Sequence, residues 1–298
     1  MTQTAEFYIT MISSSFAIVG CLLIIATHLY FSELKKQFYR QLVFILSIYD
    51  LLLGIGCLFP GGSWDSICSG QGIYLTGISL APPIWTACIS ILTWLRISRN
   101  VSGKKLRRIS LFLNFFLWIV CLIFFFLASF FGDIKNTPPT HWCSPTSRTI
   151  LTAVYVTYWL SLVVMMVFYF LLIDKIRKES KRLQEHQTTK SQEKRSAQIR
   201  MSIIPISYFF LVIWSSIKRT REVAHPDCSE IEWLDIMQAI FDPLQGFIDC
   251  LIFVIFASKV RNKIPLMLRC KKSQVPKKII STQINDKLLI NINNDDEM

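Results

Sequence analysis

Three carboxylates lie where the chain is most apolar. Asp50, Asp242 and Asp249 each fall inside a long hydrophobic run. An ionised carboxylate in such surroundings needs a proton, water or a cation to compensate it, and no Lys or Arg lies within those runs. Asp242 and Asp249 are about two helical turns apart and so share one helix face. This spacing suits a buried polar switch that holds an ion or water and shifts between states. The plainer alternative is a set of protonated, hydrogen-bonded packing residues.

A second set is basic. Lys218, Arg219 and Arg221 directly follow an apolar run. They could receive a small anionic ligand through charge-assisted hydrogen bonds, or pair with nearby Glu222, Asp227, Glu230, Glu232 and Asp235. The four histidines, His28, His141, His186 and His225, are scattered along the chain. No metal-ligand or catalytic set assembles from them, so neither an enzyme nor a cofactor is expected.

The elements that must position these residues follow from composition. Of 298 residues, 52% are hydrophobic and 17% charged, against a usual ~25% charged. Mean hydropathy is +0.42, yet the formal net charge is +12. The 22 Phe, 8 Trp and 9 Tyr exclude a disordered chain. A nucleic-acid partner would explain the charge but not the hydrophobicity, so none is expected. A bilayer accommodates both, with positive charge confined to loops.

A membrane-spanning helix needs ~20 mostly apolar residues. Seven runs qualify: 7–31, 41–58, 72–95, 109–131, 149–173, 201–217 and 234–257. The first lacks a basic leader and is too long for a signal peptide's apolar core, so it is read as a span. Of the 32 Lys and Arg, 27 fall after spans one, three, five and seven, and five fall in the alternate loops. By the positive-inside rule the N-terminus is outside and the C-terminus cytoplasmic. The expected fold is an all-α membrane protein, a seven-transmembrane helix bundle over residues 1–272 that includes a basic juxtamembrane segment at 258–272. Residues 273–298 are polar and Asn-rich and read as a disordered cytoplasmic tail. The charged stretch 174–200 looks like a continuation of spans five and six. Pro82-Pro83, Pro205 and Pro243 should kink or unwind their spans.

Nine cysteines sort by compartment. Cys21, Cys57, Cys88, Cys121 and Cys250 lie within spans and read as small hydrophobes. Cys270, among apolar and basic residues near the bilayer, is a candidate for lipidation. Cys68, Cys143 and Cys228 fall in outer loops, where one pair should be bridged. Cys68 with Cys143 is preferred because it would pin the second outer loop to span three; Cys228 with either is the alternative.

Several short motifs carry a resemblance. Trp142-Cys143 in the second outer loop is one. The run Phe210-Leu211-Val212-Ile213-Trp214, followed by Lys218-Arg219, is another. Gln245-Gly246-Phe247 and Pro265-Leu266-Met267-Leu268-Arg269 complete the set. In order and spacing these resemble G-protein-coupled receptors of the slime-mould cyclic AMP receptor type. Lys218 stands where that family has Asn, and the end of span three, Trp94 to Arg99, lacks the D-R-Y of rhodopsin-like receptors. The resemblance implies a plasma-membrane receptor for an extracellular ligand that activates a heterotrimeric G protein. Arg96, Arg99, Lys175, Arg177 and Arg200 would then face the G protein. The rival reading is a seven-helix transporter or channel using Asp50, Asp242 and Asp249. That rival would favour repeated halves, which the sequence lacks.

Overall fold

The computed structural model describes residues 3–31, 38–59, 65–99, 101–137, 142–183, 189–224 and 231–256. Its elements are α1 (Gln3–Tyr30), α2 (Phe38–Leu58), α3 (Asp65–Ile78), α4 (Ala81–Ser98), α5 (Gly103–Phe131), β1 (Ile134–Thr137), β2 (Trp142–Pro145), α6 (Arg148–Leu183), α7 (Thr189–Ala224) and α8 (Glu232–Phe256). Six stretches are long and apolar enough to cross a membrane: Phe7–Tyr30, Phe38–Leu58, Ile67–Ser98, Gly103–Phe131, Arg148–Lys175 and Trp233–Ile255. A shorter apolar stretch, Ile203–Lys218, lies within α7. The seven apolar segments therefore occur in the expected order, in a helical multi-pass membrane protein. The basic segment 258–272, the tail 273–298, Cys228 and Cys270 lie outside the described residues.

The helices outrun the apolar runs. α5 starts at Gly103 rather than at 109 and takes in Lys104, Lys105, Arg107 and Arg108. Backbone hydrogen bonds do not stop at the edge of hydrocarbon, and long basic side chains reach outward to water. What starts α5 is its cap: Ser102 is extended, and its Oγ accepts from the Lys105 N–H at 3.5 Å. α6 and α7 each have 36 residues, so both continue into the charged stretch, as its sequence suggested. At 1.5 Å per residue each is about 54 Å long.

The third span differs from its expected form over 72–95. It begins at Asp65 and consists of two helices interrupted at Ser79-Leu80. The cause is the pair Pro82-Pro83, which cannot donate backbone hydrogen bonds. Placed in the first turn of α4, they sit where helix donors are unpaired in any case. Cys68, expected just ahead of this span, lies inside α3. Pro205 and Pro243 lie inside helices that continue past them. Pro243 withholds the hydrogen bond that the Ala239 carbonyl would normally accept. The Ser13 hydroxyl of α1 reaches that carbonyl at 3.0 Å, while also lying 2.8 Å from the Ile9 carbonyl of its own helix.

The packing explains which faces are buried. α1 lies chiefly against α8 and α2, α4 against α6, and α7 against α8. Gly20 permits the first of these: a Cβ there would lie 2.9 Å from the Phe247 Cα. Small residues let helices in lipid approach this closely. At the junction of α2, α4 and α5, Trp85 is fully buried and donates its indole N–H to the Leu42 carbonyl at 3.0 Å. Tyr49 beside it donates to Asn114 Oδ1 at 2.7 Å. On the other side of α5, Phe112, Phe115, Phe116, Phe126 and Phe130 are exposed. Such a row would be an adhesive patch in water, and it suits contact with lipid chains.

The all-α expectation misses one feature. Between α5 and α6 the chain forms an antiparallel hairpin, with Ile134 opposite Pro145 and Thr137 opposite Trp142. The segment is too short and too irregular in polarity to read as strands. Its entry is the Gly132-Asp133 turn, where Asp133 has φ 36°, a region that Asp tolerates better than most residues. Thr146 closes the turn: its N–H donates to the Asp133 carbonyl at 3.0 Å, and its hydroxyl lies 2.9 Å from the Asp133 carboxylate. That hydroxyl, and then Lys135, hold the Asp133 carboxyl below the usual carboxylate range.

Candidate ligand cavity

The hairpin is held on α3 by the Cys68–Cys143 disulfide, with Cα atoms 5.3 Å apart. This is the pairing preferred from the sequence. Gln71, one turn further along α3, reinforces it. Its Nε2 donates to the Gly56 carbonyl at 3.1 Å and to the Phe59 carbonyl, and its Oε1 accepts from the Cys143 N–H at 3.3 Å. One buried amide thus joins α2, α3 and β2. Gly72 is required beside it, because a Cβ there would come within 3.0 Å of the Cys143 carbonyl. Trp142 then extends over the end of α2, donating its indole N–H to the Cys57 carbonyl at 3.4 Å.

Under the hairpin lies a cavity of about 180 Å³. β2 supplies Trp142 to Pro145, and the Ser79–Pro83 break supplies Ser79, Pro82 and Pro83. α6 contributes Tyr155, Tyr158 and Trp159; α7 contributes Tyr208, Ser215 and Ser216; α8 contributes Gln238, Asp242 and Gln245. Tyr158 and Tyr208 bring their hydroxyls near each other, with Ser215 beside them. Gln238 donates its Nε2 hydrogen to Asp242 Oδ2 at 3.1 Å, which fixes the carboxylate against the next turn of α8. Among the described lining residues, Asp242 alone carries a formal charge.

The three acids do not form one cluster. Asp50 on α2 and Asp249 on α8 are both buried and close enough to interact electrostatically, and both Asp50 carboxylate oxygens lack a hydrogen-bond partner among the described residues. Two carboxyl groups so placed are compatible in an apolar interior when one proton lies between them. Asp242, two turns from Asp249, lines the cavity instead. The basic trio is also divided. Lys218 Nζ lies 2.5 Å from Asp235 Oδ1, and neither Lys218 nor Arg221 lines the cavity. The side chain of Arg219 lies outside the described residues.

At the other end of the bundle, Arg96 and Arg99 are exposed at the end of α4. The Arg99 guanidinium stands 5.9 Å over the Trp94 ring, which meets Phe168 of α6 edge-on at 5.5 Å. Arg96 donates to the Val101 carbonyl at 2.6 Å, bracing the turn into α5. Arg177 on α6 is exposed and Lys175 half-buried, while the side chain of Arg200 lies outside the described residues.

Sequence reasoning missed Gln71, Gln238 and Gln245. For Gln238 and Gln245, inside the apolar run 234–257, a signal was present, since an amide inside an apolar span must find partners and so faces protein rather than lipid.

A bundle of seven apolar helical segments around a cavity, closed by a disulfide-tied hairpin, has the build of a G-protein-coupled receptor. Known proteins carry the same likeness. Residues 189–262 match the family described as "G protein-coupled glucose receptor regulating Gpa2 C-term". The chain is 25% identical over 281 residues to G-protein coupled receptor 157 of Homo sapiens, covering 87% of this chain and 83% of that protein. It is 25% identical over 296 residues to Cyclic AMP receptor-like protein A of Dictyostelium discoideum, covering 96% of this chain and 74% of that protein. Over most of its length the chain thus resembles G-protein-coupled receptors of the cyclic AMP receptor-like type.

Proposed function

We propose that the chain is a plasma-membrane receptor, N-terminus outside and C-terminus cytoplasmic, that takes a small ligand into the cavity and activates a heterotrimeric G protein. The observation that carries this reading is the arrangement along α6. Trp159 lines the cavity, and Lys175 stands among the basic helix ends about 24 Å further along the same helix. A ligand bound better by one state of the bundle shifts the population of that state. Helices that run from the cavity to the basic end carry the shift to a partner docked there. Arg96, Arg99, Lys175, Arg177 and Arg200 form the G-protein-facing surface in this reading. Asp50 and Asp249 form the switch, because the interaction of two buried carboxyl groups on different helices depends on the separation of those helices. Lys218 is assigned to structure, since Asp235 already neutralises it.

The test is nucleotide exchange on a co-expressed G protein in membranes. A ligand that binds the cavity should raise exchange. Arg96→Ala with Arg99→Ala should lower exchange while ligand binding stays unchanged. Solute flux with no exchange across a broad ligand panel would refute the reading in favour of a transporter.

A further inference from the structure

The exposed face of α5 changes character along its length. Lys104, Lys105, Arg107 and Arg108 are exposed in its first two turns. Leu111, Phe112, Phe115, Phe116, Leu122 and Phe126 are exposed further along. Lys104, Arg108, Leu111 and Phe115 follow one another at intervals of four, three and four residues, which places them on one side of the helix. Lys105 leads to Phe112 and Phe116 in the same way. We propose that this face binds a phosphoinositide of the inner leaflet, with its acyl chains along the apolar stripe and its phosphorylated headgroup among Lys104, Lys105 and Arg108. The choice of leaflet rests on the receptor reading; the site itself needs only a bilayer.

Charge selects the headgroup. Lys135, Lys178 and Lys218 each have a carboxylate within 3.3 Å. Among the described residues no such pair involves Lys104, Lys105, Arg107 or Arg108, and the first turn of α5 contains no acid. Four cations within about 6 Å of helix length repel one another. A singly charged headgroup neutralises one of them, whereas several phosphates on one ring meet several at once. The end of the helix adds backbone donors, since its first N–H groups have no partner within the helix. It is also open: a Cβ on Gly103 would meet nothing within 4 Å.

The apolar stripe selects a lipid over a soluble anion. Of the six long apolar stretches, Gly103–Phe131 is the least buried, so lipid chains have access to most of it. The apolar run begins at 109, directly after Arg108, which puts the cations at headgroup depth. The neighbouring Arg96 and Arg99 are engaged otherwise, one with the Val101 carbonyl and the other over Trp94. The basic residues of α5 are therefore a separate group from the surface assigned to the G protein.

The full chain, purified in detergent, is titrated with three probes: a phosphatidylinositol bisphosphate, phosphatidylserine at matched total charge, and the water-soluble inositol trisphosphate headgroup. The phosphatidylinositol bisphosphate should bind tightest, and added salt should weaken it. Lys104→Gln with Arg108→Gln should weaken that binding roughly 10-fold to 30-fold. The same loss of charge through Lys135→Gln with Arg148→Gln, outside this face, should leave it unchanged. If the first double variant fails to fold, the ranking of the three probes on the unaltered chain decides. Equal binding of phosphatidylserine overturns the proposal, because the attraction is then a diffuse one. Equal binding of the soluble headgroup overturns the lipid as occupant. Binding unaltered by Lys104→Gln with Arg108→Gln overturns the site. Failure of the receptor reading looks different: the lipid then binds through Lys104 and Arg108, and no ligand evokes nucleotide exchange.

Discussion

Lys218, near the end of α7, and Asp235, in the first turn of α8, form an ion pair of 2.5 Å whose side chains are 11% and 3% exposed. The pair joins two helices whose connection, 225–230, lies outside the described residues. Asp235 also carries negative charge near the α8 N-terminus, where the helix dipole favours it. Removing one member strands the other charge away from water. Lys218→Met or Asp235→Asn should therefore destabilise the bundle by roughly 3–5 kcal/mol. The double variant should recover much of the loss, and thermal unfolding of the detergent-purified chain would show it.

Ser13 and Pro243 should be coupled although their side chains are not paired. The Ser13 hydroxyl serves the Ala239 carbonyl that Pro243 leaves without a donor. Ser13→Ala should cost about 1 kcal/mol in the native chain. In a Pro243→Ala background the backbone N–H returns to that carbonyl, and the same change should cost close to nothing. A double-mutant cycle on unfolding free energies measures the difference.

Two glycines should respond in opposite directions. At Gly20 a Cβ meets the backbone of α8, whereas at Gly70 nothing lies within 4 Å. Gly20→Val should destabilise by roughly 1–3 kcal/mol through overpacking. Gly70→Ala should stabilise by about 0.5–1 kcal/mol, because Gly is a poor residue inside a helix. Paired Tm measurements decide, and equal effects at both sites would contradict the close approach of α1 and α8.

Reducing the Cys68–Cys143 bond should loosen both the hairpin and the cavity it covers. Removing it through Cys68→Ser with Cys143→Ser should cost roughly 2–4 kcal/mol. Ligand affinity should fall as well, because Trp142 and Cys143 line the cavity. Non-reducing peptide mapping should link Cys68 to Cys143, and binding isotherms with and without reductant give the functional half of the test.

The Asp50–Asp249 pair should tolerate a neutral hydrogen-bonding replacement better than a nonpolar one. Asp249→Asn can donate an N–H to the facing Asp50 carboxylate, whereas Asp249→Leu leaves that group unsupported. Surface expression should persist in the first and collapse in the second. If the pair is the switch, Asp249→Asn should change ligand-independent nucleotide exchange while leaving the cavity's ligand affinity within about two-fold, since Asp249 does not line the cavity.

The sequence by itself determined the seven apolar segments, the basic helix ends and the isolation of three acids in an apolar chain. Bilayer thickness and the cost of burying charge act on local composition, so these features can be read from a linear string. It also narrowed the disulfide to three cysteines. The tertiary structure decided what depends on which helices meet. The sequence placed Asp242 and Asp249 on one face, but only packing sent Asp249 to Asp50 and Asp242 to the cavity. Lys218 could contact a ligand or pair with one of several nearby acids, and the meeting of α7 with α8 selects Asp235. Gln71, Ser13 and the hairpin were equally hidden. Their roles consist of hydrogen bonds to carbonyls and amides far along the chain, and no local pattern encodes which of those come within reach.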